Sequence, residues 1–169
     1  MKNLIVILIL LIVPMFVVGQ NLKALDEKYG FRGAKFEMPF SSFKGLIKLG
    51  EVSKEYIPYK ATNEDLRLGD YTLDEVDYTF YKGKLAAIMI NTKGSSNGSG
   101  LLKILQTAYG KGVYGNKYID YVWQGEKVRM TYQTSSVTND VNVIMMSVKL
   151  RDLMDADEKR ANKEAAKGL

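Results

Sequence analysis

Residues 76–90 read VDYTFYKGKLAAIMI. Val76, Tyr78 and Phe80 alternate with Asp77 and Thr79, the period of two that turns one face of a strand toward a core and the other toward water. Lys82-Gly83 supplies a tight turn, and Leu85 to Ile90 is apolar on both faces, as an interior strand requires. The stretch predicts a hairpin that carries one interior strand of a sheet.

Toward the C-terminus, Thr92 to Gly100 reads as a Gly/Ser/Asn loop. A helix is then expected on the stripe Leu101, Ile104, Leu105 and Ala108, closed by Gly110. Lys111 to Asn116, with glycines at 112 and 115, reads as a flexible connection. Ile119, Tyr121 and Trp123 alternate before the turn Gln124-Gly125-Glu126. Val128, Met130 and Tyr132 then alternate with Lys127, Arg129 and Thr131. A last strand is expected with Ile144, Met146, Val148 and Leu150 facing inward. From Leu153 the composition shifts to Ala, Lys, Glu, Asp and Arg, a helix of high intrinsic propensity with little to bury.

Toward the N-terminus, Asn21 to Tyr29 forms a short helix with Leu22 and Leu25 on one face and Gly30 as its stop. Phe31 to Phe36 reads as a strand. Ser41 or Ser42 would cap a helix carrying Phe43, Leu46 and Ile47 and ending at Gly50. Val52 to Tyr59 is extended, with Pro58 pushing it toward a sheet edge, and Lys60 to Asp65 is loop. The connections are too short for parallel crossovers. The expected class is α+β: an antiparallel sheet with two or three helices packed on one face, a weak helix-plus-strands duplication, and an exposed C-terminal helix.

Met1-Lys2-Asn3 followed by an uncharged run from Leu4 to Val18 and a small-residue site at Val17-Val18-Gly19 has the three parts of a secretory signal peptide. The run is shorter than the roughly 20 residues that span a bilayer. The expected organisation is a signal peptide over 1–19, one domain over 20–152 and a charged helical tail over 153–169. The protein is expected to be exported, periplasmic or secreted, with no stable membrane span after cleavage; an uncleaved anchor is the alternative.

The 169 residues include no histidine and no cysteine. These zeros exclude the Ser-His-Asp triad, the Cys-His pair, the HExxH zinc helix, disulfides and thiolate-ligated metals. No cofactor, metal site or catalytic residue is expected. Lys+Arg number 24 against 19 Asp+Glu, and the charge is scattered without a basic run, which argues against nucleic acid.

LDEKYGFRGAKF (25–36), YTFYKGKLAAI (78–88), LLKILQTAYGKG (101–112) and YVWQGEKVRMTY (121–132) form a series that resembles a group of small exported proteins of Bacteroidetes type. That group carries the same aromatic opening, hairpin, Tyr-Gly helix end and Trp-Gly hairpin. The similarity spans roughly residues 22–150 and implies export and an α+β domain. It brings no catalytic residues with it.

Three constellations remain. GSSNGSG (94–100) resembles a phosphate loop but lacks the Lys-Ser/Thr that follows one, and Asn97-Gly98-Ser99 matches a glycosylation sequon. Asp70, Asp74, Glu75 and Asp77 concentrate carboxylates, and Glu75 and Asp77 share a strand face. Two of Asp70, Glu75, Asp77 and Asp120 could serve a hydrolase acting on envelope polysaccharide. Tyrosine is the remaining enrichment, with eleven. Tyr114, Tyr118 and Tyr81 have no assigned place in the core and are the binding candidates, since exposed tyrosine stacks on sugars and anchors interfaces. The leading expectation is a non-catalytic, exported module that binds a protein or glycan of the cell envelope.

Overall fold

A computed structural model describes residues 21–53 and 55–168. The leader expected over 1–19 lies outside the described residues. Helix α1 (Leu22–Lys28) leads into the two-residue strands β1 (Gly30–Phe31) and β2 (Ala34–Lys35), then β3 (Leu46–Lys48) and β4 (Tyr56–Ala61). A small hairpin, β5 (Arg67–Leu68) and β6 (Tyr71–Thr72), precedes β7 (Glu75–Tyr81) and β8 (Lys84–Thr92). Helix α2 (Ser95–Tyr109) is followed by β9 (Val113–Asn116), β10 (Ile119–Gln124), β11 (Val128–Thr134), β12 (Val141–Ser147) and helix α3 (Val148–Ala166).

The expected α+β architecture forms around one antiparallel sheet of eight strands, ordered β3-β4-β7-β8-β12-β11-β10-β9. Each half of the chain supplies a helix and then a four-strand meander. The two meanders meet through their last strands, with Ile88 opposite Met145 and Ile90 opposite Val143. The duplication thus lies in topology rather than in matching side chains. The hairpin over 76–90 forms with Tyr81 opposite Lys84, and a bulge at Thr79/Phe80 leaves Ala86 as the extra residue.

One face of the sheet carries the main core. Val76, Tyr78, Phe80, Ile88, Ile90, Trp123, Met130 and Val143 pack against Leu25 of α1 and against Leu101 and Leu105 of α2. Each large side chain removed from water there contributes about 1.5–3 kcal/mol before entropy is charged against it. Helix α3 starts on the opposite face, where Leu150 and Met154 cover Tyr81, Ala86 and Tyr56. Its first turn is capped by the Ser147 hydroxyl, which accepts from Leu150 N–H. Beyond Asp157 the helix stands exposed.

Five local expectations are corrected. The stretch expected as a helix over 43–50 is a 3-10 turn at Phe40–Ser42 followed by β3. Gly45 adopts φ +66, which interrupts a helix, and Phe43 turns its ring onto Tyr78 and Phe80 at 5.3 and 5.2 Å. Strand β3 is therefore the sheet edge, and Pro58 sits one strand in from it. The Gly/Ser segment expected as loop is the opening of α2, because Gly100 leaves room for the Tyr71 ring; a Cβ there would lie 2.2 Å from Tyr71 Cε1. The flexible connection expected over 111–116 is edge strand β9. In β12 the inward residues are Val141, Val143 and Met145, while Ile144 and Met146 face the other side and Val148 and Leu150 already belong to α3. Both phases of that strand are apolar, so period two alone could not choose between them.

The helices tie the halves together. Asp26 of α1 receives three backbone N–H groups from the turn between β10 and β11: Glu126 at 2.8 Å, Lys127 at 2.9 Å and Val128 at 2.9 Å. In the other direction, Asn97 of α2 accepts the N–H of Thr72 at 3.2 Å. Each half's helix is fastened to the opposite half.

Candidate functional site

The hairpin of β9 and β10 turns on Asn116. Its side-chain oxygen accepts the N–H groups of Tyr118 at 2.8 Å and Ile119 at 3.1 Å, an Asx turn that fixes the loop. Gly115 is required by contact rather than by mobility, since a Cβ there would meet the Ile119 carbonyl at 2.4 Å. The hairpin presents Tyr114 at 72% exposure and Tyr118 at 64%. The other nine tyrosines are buried or half-buried. Lys117 places its ammonium 4.7 Å from the Tyr118 ring centroid.

Tyr114 lies opposite Tyr121 on β10, which lies opposite Tyr132 on β11. The Tyr121 and Tyr132 rings stand edge to face, 6.1 Å apart. The Tyr132 hydroxyl donates to the Gly98 carbonyl at 3.1 Å, fixing the first turns of α2 over the sheet. Between them is a cleft of about 380 Å³ lined by Tyr114, Tyr121, Ser95, Ser99, Asp120 and Asn139, among others. Asp120 Oδ2 accepts the Thr134 N–H at 2.8 Å. Asp120 Oδ1, the Asn139 amide and the Ser95 hydroxyl have no protein partner among the described residues.

Tyr81, the third tyrosine candidate, is in a different place. It is 5% exposed and packs under Leu150, with its hydroxyl donating to Asp157 of α3 at 2.6 Å. Lys82 reaches the same carboxylate at 2.5 Å. The lysine and the tyrosine hydroxyl together hold the Asp157 carboxyl below its ordinary value.

The carboxylate candidates are dispersed except for one pair. Asp70 is exposed in the β5–β6 turn, and Asp120 sits in the cleft, far along the sheet order from β7. Glu75 and Asp77 share the face of β7 turned away from the core, opposite Lys60 on β4. Lys60 donates to Glu75 at 2.7 Å. That bond, together with a hydrogen bond from Asp77, holds the Glu75 carboxyl below its ordinary range. Asp77 is 6% exposed, with Oδ1 lacking a hydrogen-bond partner. Burial first, then the hydrogen bond and charge of Glu75, push its carboxyl up to about 7.

Among the described residues no cluster of three or more His, Cys, Asp or Glu side chains could hold a metal ion. None of their helices is long and apolar enough to cross a membrane. The Gly/Ser segment at 94–100 shows why it differs from a phosphate loop: Gly98 and Gly100 serve packing of α2 onto Val141 and Tyr71, and Gly94 supplies the φ of +77 at the N-cap. No protein-family model, curated protein or solved structure matches the chain.

Proposed function

We propose that the protein is an exported, non-catalytic binding module of the cell envelope, and that its contact surface is the β9–β10 hairpin with the adjoining cleft. One observation carries this: of eleven tyrosines, the two left exposed stand on one hairpin, four residues apart. Leaving large aromatic rings in water wastes their burial, and rings so placed are the usual anchors of binding surfaces. The export part rests on the leader in residues 1–19 and on the resemblance to small exported proteins.

Photo-crosslinkers placed at Tyr118 and, as a control, at Lys159 on the exposed tail test the surface. Incubated with envelope extract, the Tyr118 position is expected to yield discrete adducts and the tail position none. Equal labelling from both positions refutes the proposal. Export is tested by sequencing the N-terminus of secreted protein, which should begin at Gln20.

A second reading is the carboxylate-dependent hydrolase of envelope polysaccharide. It is supported by the opposed environments of Glu75 and Asp77, one carboxyl held low and one raised, the arrangement that divides acid and base roles. Against it stands the burial of Asp77, which a glycosidic oxygen would have to reach. Purified protein that releases reducing ends from envelope polysaccharide, with loss in Glu75→Gln, establishes this second reading; no release from any fraction removes it.

A further inference from the structure

We infer that the cleft between α2 and the β9–β10 hairpin is a subsite for one neutral pyranose ring of an envelope glycan, an inference that rests on the binding-module proposal and gives it a ligand class. A sugar ring presents an apolar C–H face and a rim of hydroxyls. Recognition therefore needs an exposed aromatic plane together with fixed donors and acceptors around it. Tyr114 supplies the plane, 72% exposed and lining the cleft. Asp120 Oδ1 supplies an unpaired acceptor, and its carboxylate is already oriented by the Thr134 N–H at 2.8 Å, so little side-chain freedom remains to be lost on binding. The Asn139 amide and the Ser95 hydroxyl add a donor–acceptor pair and a hydroxyl, each with no protein partner among the described residues.

The cleft measures about 380 Å³, at the small end of ligand sites, which run roughly 300–1,000 Å³. A single ring suits that space better than a folded partner does. The remaining tyrosines are poor stacking planes: Tyr121 is engaged edge to face with Tyr132, and Tyr132 gives its hydroxyl to Gly98. A cation would want several ring faces about one point, and only one free face is present. Asp120 is the one acidic side chain among the lining residues, and no lysine or arginine accompanies it. An acidic sugar is therefore disfavoured. Two charges about 6 Å apart in water repel enough for roughly a threefold loss in affinity. Tyr118, at the hairpin tip, is placed to meet a neighbouring unit of the same chain.

Ligand-observed saturation-transfer NMR of the purified protein tests this, using neutral glucan, xylan, mannan and N-acetylglucosamine oligosaccharides, with a uronic-acid oligosaccharide and a lysine-rich peptide alongside. At least one neutral oligosaccharide is expected to bind. Tyr114→Phe should leave its affinity unchanged and Tyr114→Ala weaken it about tenfold, without a change in folding because the side chain is exposed. Asp120→Asn keeps the acceptor for Thr134 and should narrow the gap between neutral and acidic sugars. Binding that survives Tyr114→Ala, or selective binding of the peptide, overturns the inference. Silence from every oligosaccharide while the Tyr118 crosslinker still gives discrete adducts overturns the sugar assignment alone; silence in both experiments overturns the binding module as well.

Discussion

Asp77→Asn is expected to stabilise the protein at alkaline pH and to leave it almost unchanged in acid. In the folded chain the carboxyl of Asp77 ionises near 7 instead of near its ordinary 3.8. Below about pH 4 the folded and unfolded states are both protonated at this position, and Asn is equivalent to the acid. Between pH 4 and 7 the unfolded chain gives up its proton while the folded chain retains it, so the stability of the natural protein falls as pH rises. Above 7 both states are ionised and the deficit stays constant. A change in proton affinity of this size corresponds to about 4 kcal/mol at 1.36 kcal/mol per tenfold. Glu75 moves the opposite way: its carboxyl is held low by Lys60 and by Asp77, so it adds stability above its ordinary range and loses it as pH falls. The two carboxyls share a proton, and removing one relaxes the other. The net gain for Asp77→Asn at pH 8 is therefore set at about 2 kcal/mol, or roughly 5 °C in Tm for a chain of this size. The Asn amide retains a donor for Glu75 and introduces no cavity. Urea unfolding of both proteins from pH 4.5 to 8.5 measures the difference, with unchanged denaturant slopes as the check on two-state behaviour. A difference that does not vary with pH, or a variant less stable at pH 8, refutes the assignment of Asp77 as the strained group.

Asp26→Ala should cost about 2–3 kcal/mol, because three N–H groups of the β10–β11 turn lose a charged acceptor and water replaces it only in part; Asp26→Asn, which keeps one acceptor oxygen, should cost about half as much by thermal melt. Gly100→Ala should destabilise by about 1–2 kcal/mol despite the better helix propensity of alanine, because the new methyl meets the Tyr71 ring; Gly100→Ala combined with Tyr71→Ala should then recover part of that loss. Removing residues 161–169 should change the unfolding free energy measured in urea by less than about 0.5 kcal/mol, since residues 161–168 are exposed, whereas Tyr81→Phe should cost about 1 kcal/mol through the lost bond to Asp157.

Strands were legible where one face is polar. β7 and β11 carry Asp77, Thr79, Arg129 and Thr131 on their outer sides, and alternation alone placed them. β12 reads VNVIMMS, apolar in both phases, and its orientation was decided by Ile88 and Ile90 on the neighbouring strand. The spacing of Phe43, Leu46 and Ile47 met a helical template by coincidence: one residue packs on rings of β7 and the other two lie in an edge strand. Of the candidate site, the tyrosines were visible and their exposure was not. Tyr114 is exposed because β9 is the outermost strand, while Tyr81 is buried because α3 returns across it; both follow from chain contacts far away in sequence. The raised carboxyl of Asp77 depends first on burial and then on the hydrogen bond and charge of Glu75; the shared strand face of the two was legible, and the burial, which comes from contacts distant in sequence, was not.

The exchange of helices between the two halves bears on how the chain folds. Every neighbouring strand pair within a half is separated by a short stretch of sequence, so each meander can assemble early by local searching. The pairing of β8 with β12 joins residues about fifty positions apart, and its loop-closure cost must be met before α1 reaches the β10–β11 turn and α2 reaches the β5–β6 hairpin. Until then α1 lacks its anchor on the β10–β11 turn, and α2, although held over its own meander through Gly98 and Tyr132, lacks its contact with Thr72 of β6. The meeting of the halves is accordingly the expected slow step, and a nick between Lys93 and Gly94 is expected to leave two fragments that complete the shared core only on reassociation.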